Sequence, residues 1–190
     1  MFLTKLVIAW QNAKNPYEIH RVLWTMFPDM PNTERPFLFR TESHKTGLPS
    51  SVLLQSKLKP QKPHQKTILE YKVKEFKPTF ETGQKFKFLL CVNPTKRLIN
   101  NGCRVPFVRD DEQIKWLKDK LANSTNLATL SIKSKNNLYF IKGNRSGKII
   151  TVTFEGILEI KNQKLFEDLF TQGIGPAKGF GCGMISLARL

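Results

Sequence analysis

Histidine, cysteine and acid are scarce in this chain, and long apolar runs are missing. The three cysteines, Cys91, Cys103 and Cys182, form no C-x-x-C pair, and the three histidines, His20, His44 and His64, stand far apart. That spacing excludes the clustered ligands of a structural zinc site, so neither a metal nor a cofactor is expected, and the thiols are expected to stay reduced. No apolar stretch approaches the roughly 18 residues of a membrane span. The opening "MFLTKLVIAWQNAKNP" has no long apolar core followed by a small-residue cleavage site. A cytoplasmic protein without a membrane partner is the expectation. Acid is outnumbered: 15 Asp and Glu stand against 31 Lys and Arg, a formal net charge of +16. Such a balance favours polyanions, nucleic acid first and acidic membrane second.

What is present is a globular composition, 40% hydrophobic with 14 phenylalanines in 190 residues, enough for one ordinary domain or two small ones. The positive charge is uneven. Residues 57–104 hold twelve Lys or Arg and three acids, and "SIKSKNNLYFIKGNRSGKII" (131–150) holds five Lys or Arg and no acid. Such runs suit a phosphate backbone, although a plain solvated surface would look similar.

Periodicity predicts strands at 2–9, 36–42 and 51–57, an extended piece near 68–77, and a helix over 15–27. The second half reads as a strand at 85–92, a helix at 110–124, strands near 127–133 and 148–160, a helix at 162–172 and a strand at 183–190. That order, β-α-β-β-α-β, is the ferredoxin-like one. The first half begins in the same way but offers no good second helix. The expected class is α+β, with two tandem ferredoxin-like (RRM-like) domains over 1–80 and 84–190. This fold alone decides no function.

Two local patterns carry chemistry. In "KNPYEIHRVLW" (14–24), Asn15 suits the N-cap, Pro16 the first helical position, and Glu18 the return arm of a capping box. Ile19, Val22, Leu23 and Met26 form an apolar stripe, which leaves Tyr17, His20 and Trp24 on the neighbouring face. These could be ordinary rim residues. They also stand where a helix N-terminus attracts phosphate, and imidazole titrates near neutral pH. A metal-free ribonuclease needs little beyond a positioned acid or base and donors to the phosphate, because RNA carries its own nucleophile in the 2′-hydroxyl. The second pattern is "GIGPAKGFGCGMISLARL" (173–190). It leaves a helix and enters a strand, so it is neither a dinucleotide nor a P-loop fingerprint. Gly173 is explained as a helix C-cap. Close approach of the remaining glycines and Lys178 to a ligand backbone is the functional reading.

"TKLVI", "NPYEIHRVLW", "RPFLFR", "VLLQS", "CRVPFV", "EQIKWL", "SGKI", "TFEG" and "GIGPAKGFGCG" occur in this order along the whole chain. Together they resemble the CasE family, the CRISPR-associated endoribonucleases of type I-E Cascade complexes. The resemblance implies tandem ferredoxin-like domains and metal-free cleavage of CRISPR precursor RNA at the base of each repeat stem-loop. It further implies a 2′,3′-cyclic phosphate product and retention of the crRNA among other Cascade subunits. The family's catalytic His falls on His20 and its companion Tyr on Tyr17. The implied RNA contacts are Gly175, Lys178, Gly179 and Gly181 of the glycine-rich loop and Lys142, Arg145 and Lys148 of a basic hairpin. Arg104, in "CRVPFV" at the end of the basic run, joins them. The alternative from another class is a non-catalytic RNA-binding subunit in which His20 is only structural.

Overall fold

The computed structural model describes residues 1–28, 35–62, 66–100 and 102–190, with Lys142 and Arg145 described by their backbone alone. His64 lies outside the described residues. The chain divides into two compact units.

The first unit comprises Met1–Pro78, Tyr139–Gly147 and Gly179–Gly181. It contains β1 (Phe2–Ile8), α1 (Pro16–Trp24), β2 (Phe37–Ser43), β3 (Ser50–Ser56) and β4 (Ile68–Glu75). The sheet order is β2-β3-β1-β4, with β1 antiparallel to both of its neighbours. Period-two burial sets which face of β1 is inside: Thr4, Leu6 and Ile8 are buried and Lys5 is exposed. The core joins Leu6, Ile8, Phe39, Val52 and Leu54 from the strands to Ile19, Val22 and Leu23 of α1 and Met26 just after it, the stripe expected from spacing. Among the described residues there is no helix between β3 and β4.

The start of α1 is set by its cap. Asn15 Oδ1 accepts the Tyr17 N–H at 2.9 Å, and Pro16 takes the first position. One expectation is corrected here. Glu18 does not return to the N-cap; its carboxylate accepts from Arg21 at 3.3 Å, an i,i+3 pair one turn on. The helix also ends before residue 27. The N–H groups of Thr25, Met26 and Phe27 bond to carbonyls three residues back, a 3-10 tightening that closes the last turn.

The second unit comprises Thr79–Leu138, Lys148–Lys178 and Cys182–Leu190. Its order along the chain is β5 (Lys85–Val92), β6 (Thr95–Arg97), β7 (Arg104–Pro106), α2 (Asp110–Leu121), β8 (Thr125–Lys142), β9 (Arg145–Ile160), α3 (Gln163–Gln172) and β10 (Ile185–Arg189). Its sheet runs β10-β5-β9-β8. Within each four-stranded sheet the first strand in chain order thus lies between the third and the last, and the second stands at an edge, which is the ferredoxin-like arrangement expected. Phe80 anchors this core, with Phe166 and Phe170 rings at 5.0 and 5.1 Å and Phe86 at 6.1 Å.

Two elements differ from expectation. β8 is far longer than the segment near 127–133, β9 begins three residues before the segment near 148–160, and the two run to a two-residue turn at Gly143 and Asn144. Gly143 has φ +58°, the conformation that a tight hairpin asks of glycine. β8 is an edge strand with few buried side chains. Lysines line it, Lys133 meeting Glu155 at 2.8 Å and Lys135 meeting Asp110. The small hairpin β6–β7 was not expected at all.

Candidate active site

His20 is half-buried in α1, within a cage of rings. Tyr17 lies one turn before it at 6.4 Å between ring centroids, Phe37 at 6.0 Å, Phe39 stacked at 6.5 Å, and Trp24 edge-on at 6.2 Å. The i,i+4 spacing brings the indole of Trp24 into reach, and its Nε1–H donates to His20 Nε2 at 3.0 Å. A nitrogen that accepts this bond carries no hydrogen, so the neutral ring holds its proton on Nδ1.

The glycine-rich loop reaches the same place. A methyl group added at Gly179 would lie 3.6 Å from His20 Nε2 and 3.6 Å from Arg35 Nη1. These are ordinary contact distances, and Gly179 has no left-handed backbone angle. Nothing in the packing therefore demands glycine here; its lack of a side chain leaves open the space between imidazole and guanidinium. Arg35 was not singled out from the sequence. Its Nε–H donates to the Phe37 carbonyl at 2.8 Å, its Cζ stands 5.8 Å from the Phe37 ring centroid, and burial lowers its pKa from the usual arginine value. The only sequence signal for it is its place at the head of "RPFLFR".

The other glycines of the run have reasons in the fold. Gly173 ends α3 with φ +76° and donates to the Leu169 carbonyl at 2.8 Å. A methyl group at Gly183 would meet the Ile174 carbonyl oxygen at 2.7 Å, and its φ of +89° is strained for any other residue. Gly175 lies against Trp116 and Gly181 against Phe39, with added carbons at 2.7 and 3.3 Å from those rings. Lys178 opens the short 3-10 turn Lys178–Phe180 and is half-buried. Phe180 packs on Phe140 of the hairpin tip at 4.5 Å between centroids, and Phe140 in turn covers Gly147.

Of the hairpin cations, Lys142 closes β8 and Arg145 opens β9, their side chains lying outside the described residues. Lys148 is exposed on β9. Arg104 is exposed on β7 and lines an open cleft of about 290 Å³ in the second unit, with Arg97, Lys120, Thr95, Trp116, Gly175 and Pro176. The first unit therefore brings together His20, Tyr17 and Gly179, and the second brings together Arg104 and Gly175.

Comparison with known proteins places this arrangement. The family described as "CRISPR associated protein" matches residues 1–189. The Cascade subunit CasE of Escherichia coli is 38% identical, with all of both chains covered. The crystal structure of the CRISPR-associated protein Cas6e from Escherichia coli superposes with a TM-score of 0.85 at 37% identity, again over all of both chains. A structure of the CRISPR endoribonuclease Cse3 bound to a 19-nucleotide RNA superposes with a TM-score of 0.86 at 29% identity over all of both chains. A family match over nearly every residue, together with a relative this similar from end to end, leaves one assignment: this chain belongs to the CRISPR-associated protein family that includes CasE.

Proposed function

We propose that this protein is an endoribonuclease that cuts CRISPR precursor RNA at the base of each repeat stem-loop without a metal ion, and keeps the crRNA as a subunit of a Cascade complex in the cytoplasm. The observation that carries the proposal is the imidazole of His20, flanked by Tyr17, with Nε2 turned to the open space over Gly179. In this reading residues 1–80 carry the catalytic helix, and residues 84–190 carry the basic hairpin and the glycine-rich loop.

The chemistry follows from RNA itself. The 2′-oxygen 5′ of the cut attacks phosphorus, the bond from phosphorus to the 5′-oxygen breaks, and a 2′,3′-cyclic phosphate and a 5′-hydroxyl result. One proton must leave the 2′-oxygen and one must reach the 5′-oxygen. With the ring hydrogen on Nδ1, His20 Nε2 is the basic nitrogen, and a 2′-hydroxyl competes with the Trp24 indole for it. A single imidazole cannot serve both ends at once, so Tyr17 orients the phosphate or supplies the second proton. Lys142, Arg145 and Lys148 hold the stem, and Arg104, Gly175, Lys178 and Gly181 contact the RNA backbone.

The Trp24 bond also gives His20 a structural job, which favours a second reading: a non-catalytic RNA-binding subunit. Incubating the protein with a matched repeat RNA in EDTA separates the two. The enzyme yields a cyclic phosphate by mass spectrometry, and His20→Ala abolishes cutting while repeat binding stays within about tenfold, or ~1.4 kcal/mol. An intact RNA, or an active His20→Ala variant, overturns the proposal. A single 2′-deoxy nucleotide 5′ of the scissile phosphate is expected to bind and remain uncut.

A further inference from the structure

We propose that Arg35 is a catalytic residue of the same site: its guanidinium binds a non-bridging oxygen of the scissile phosphate and stabilises the negative charge that gathers there as the 2′-oxygen attacks. The inference rests on the function proposed above and adds a residue that the glycine loop and the first helix do not supply.

Arg35 has the right chemistry and an unusual position for it. A guanidinium carries five N–H donors in a fixed plane, and the Phe37 carbonyl takes the one on Nε. That bond and the neighbouring Phe37 ring fix the plane of the group. None of the ion pairs among the described residues includes Arg35. A half-buried cation that meets no carboxylate among the described residues costs stability, and the cost falls when an anion arrives. Arginine remains charged at every pH at which RNA survives, so the group is a permanent cation at the site.

The geometry selects the anion. Arg35 Nη1 and His20 Nε2 stand at the same 3.6 Å from the point where a Gly179 methyl would lie. An oxygen bound over Gly179 therefore meets a proton-transfer nitrogen and a cationic donor together. A phosphodiester supplies both needs: one oxygen that exchanges a proton and another whose charge rises in the transition state. Donors aimed at developing charge act on the rate more than on ground-state binding.

The test measures single-turnover cleavage of repeat RNA under saturating protein, RNA affinity and thermal stability for wild type, Arg35→Gln, Arg35→Lys and Arg35→Ala. Removing one such donor is expected to slow cleavage roughly 10²–10³-fold. The expected Kd stays within about tenfold, because one contact is a small part of a charge-dominated interface, and Tm does not fall, because the desolvation cost of the half-buried cation is relieved. Arg35→Lys retains an intermediate rate, since an ammonium keeps the charge and loses the fork. Free guanidinium ion at millimolar concentration restores part of the rate to Arg35→Ala, which a merely structural loss would not allow. Cleavage within about threefold of wild type, a Kd loss as large as the rate loss, or a lower Tm without guanidinium rescue overturns the inference. If wild type itself leaves the RNA intact, the proposed function falls and takes this inference with it. If wild type cuts and Arg35→Gln cuts equally fast, only the role of Arg35 falls.

Discussion

The indole N–H of Trp24 donates to Nε2 of His20 at 3.0 Å across one turn of α1, and this bond selects the ring nitrogen that carries the basic lone pair. Trp24→Phe keeps the aromatic bulk and removes the donor. The imidazole ¹⁵N shifts of wild type should report a single neutral tautomer with hydrogen on Nδ1, and the variant should report a mixture. Because the 2′-hydroxyl must displace the Trp24 bond, losing the donor offsets the loss of tautomer bias, and cleavage should stay within about tenfold of wild type, the range of one hydrogen bond of roughly 0.5–1.5 kcal/mol. A single Nδ1–H tautomer in Trp24→Phe would show that something else orients the ring.

The glycine run separates into folding and function at two positions. Gly183 meets a backbone oxygen and has a positive φ, so Gly183→Ala should lose about 2–4 kcal/mol in urea unfolding from backbone strain and overpacking. Gly179 has neither constraint, and Gly179→Ala should unfold within about 1 kcal/mol of wild type. Its methyl group fills the space between His20 and Arg35, so its cleavage should fall at least about tenfold. Full activity in Gly179→Ala would mean that the RNA does not pass over this residue.

Much of this was legible because it is local. Asn15, Pro16 and the Ile19–Met26 stripe declare α1 through spacing alone, and the ferredoxin-like order followed from the sequence of strands and helices. Glu18 was misread because two local partners competed for it and Arg21 was the nearer in geometry. The basic hairpin was expected, but the stretch 134–142 of β8 that leads to its turn escaped because an edge strand with little burial has no apolar alternation to read. The β6–β7 hairpin escaped because three-residue strands carry no period. The glycine run was visible, yet its members could not be told apart without knowing which face backbone and which face open space. Arg35 was out of reach for a different reason: its meeting with His20 is made by the return of β2 against α1, which spacing does not encode.

The cysteines offer a check on the second unit. Cys182 is buried, and a hydrogen bond with Cys91, then burial, push its thiol well above the usual range. A raised thiol pKa keeps the reactive thiolate scarce at neutral pH and populates it only in alkali. Cys103 is exposed. Iodoacetamide at pH 7.5 should therefore label Cys103 first and leave Cys182 unlabelled until the protein unfolds, as read by peptide mass spectrometry. Early labelling of Cys182 in the folded protein would contradict this packing.

The basic surface offers two candidate stem or backbone contacts, and salt dependence distinguishes them. Lys142, Arg145 and Lys148 surround a hairpin turn, whereas Arg97, Arg104 and Lys120 line a cleft beside Trp116 and Gly175. Each lost phosphate contact should make the slope of log affinity against log salt shallower by about 0.9 on duplex and about 0.7 on single-stranded RNA. Alanine at the three hairpin positions should therefore change the slope most with a repeat that contains its stem. Alanine at the three cleft positions should act equally on a stemless RNA of the same length if the cleft takes unpaired backbone. Neither triple variant should slow cleavage under saturating protein as much as His20→Ala, because the reacting phosphate lies over Gly179 in the present proposal. Filter binding across a salt series reads all of these. A hairpin variant with wild-type affinity and slope on the stem-containing repeat would leave the hairpin a solvated turn and shift stem recognition to other cations of the chain.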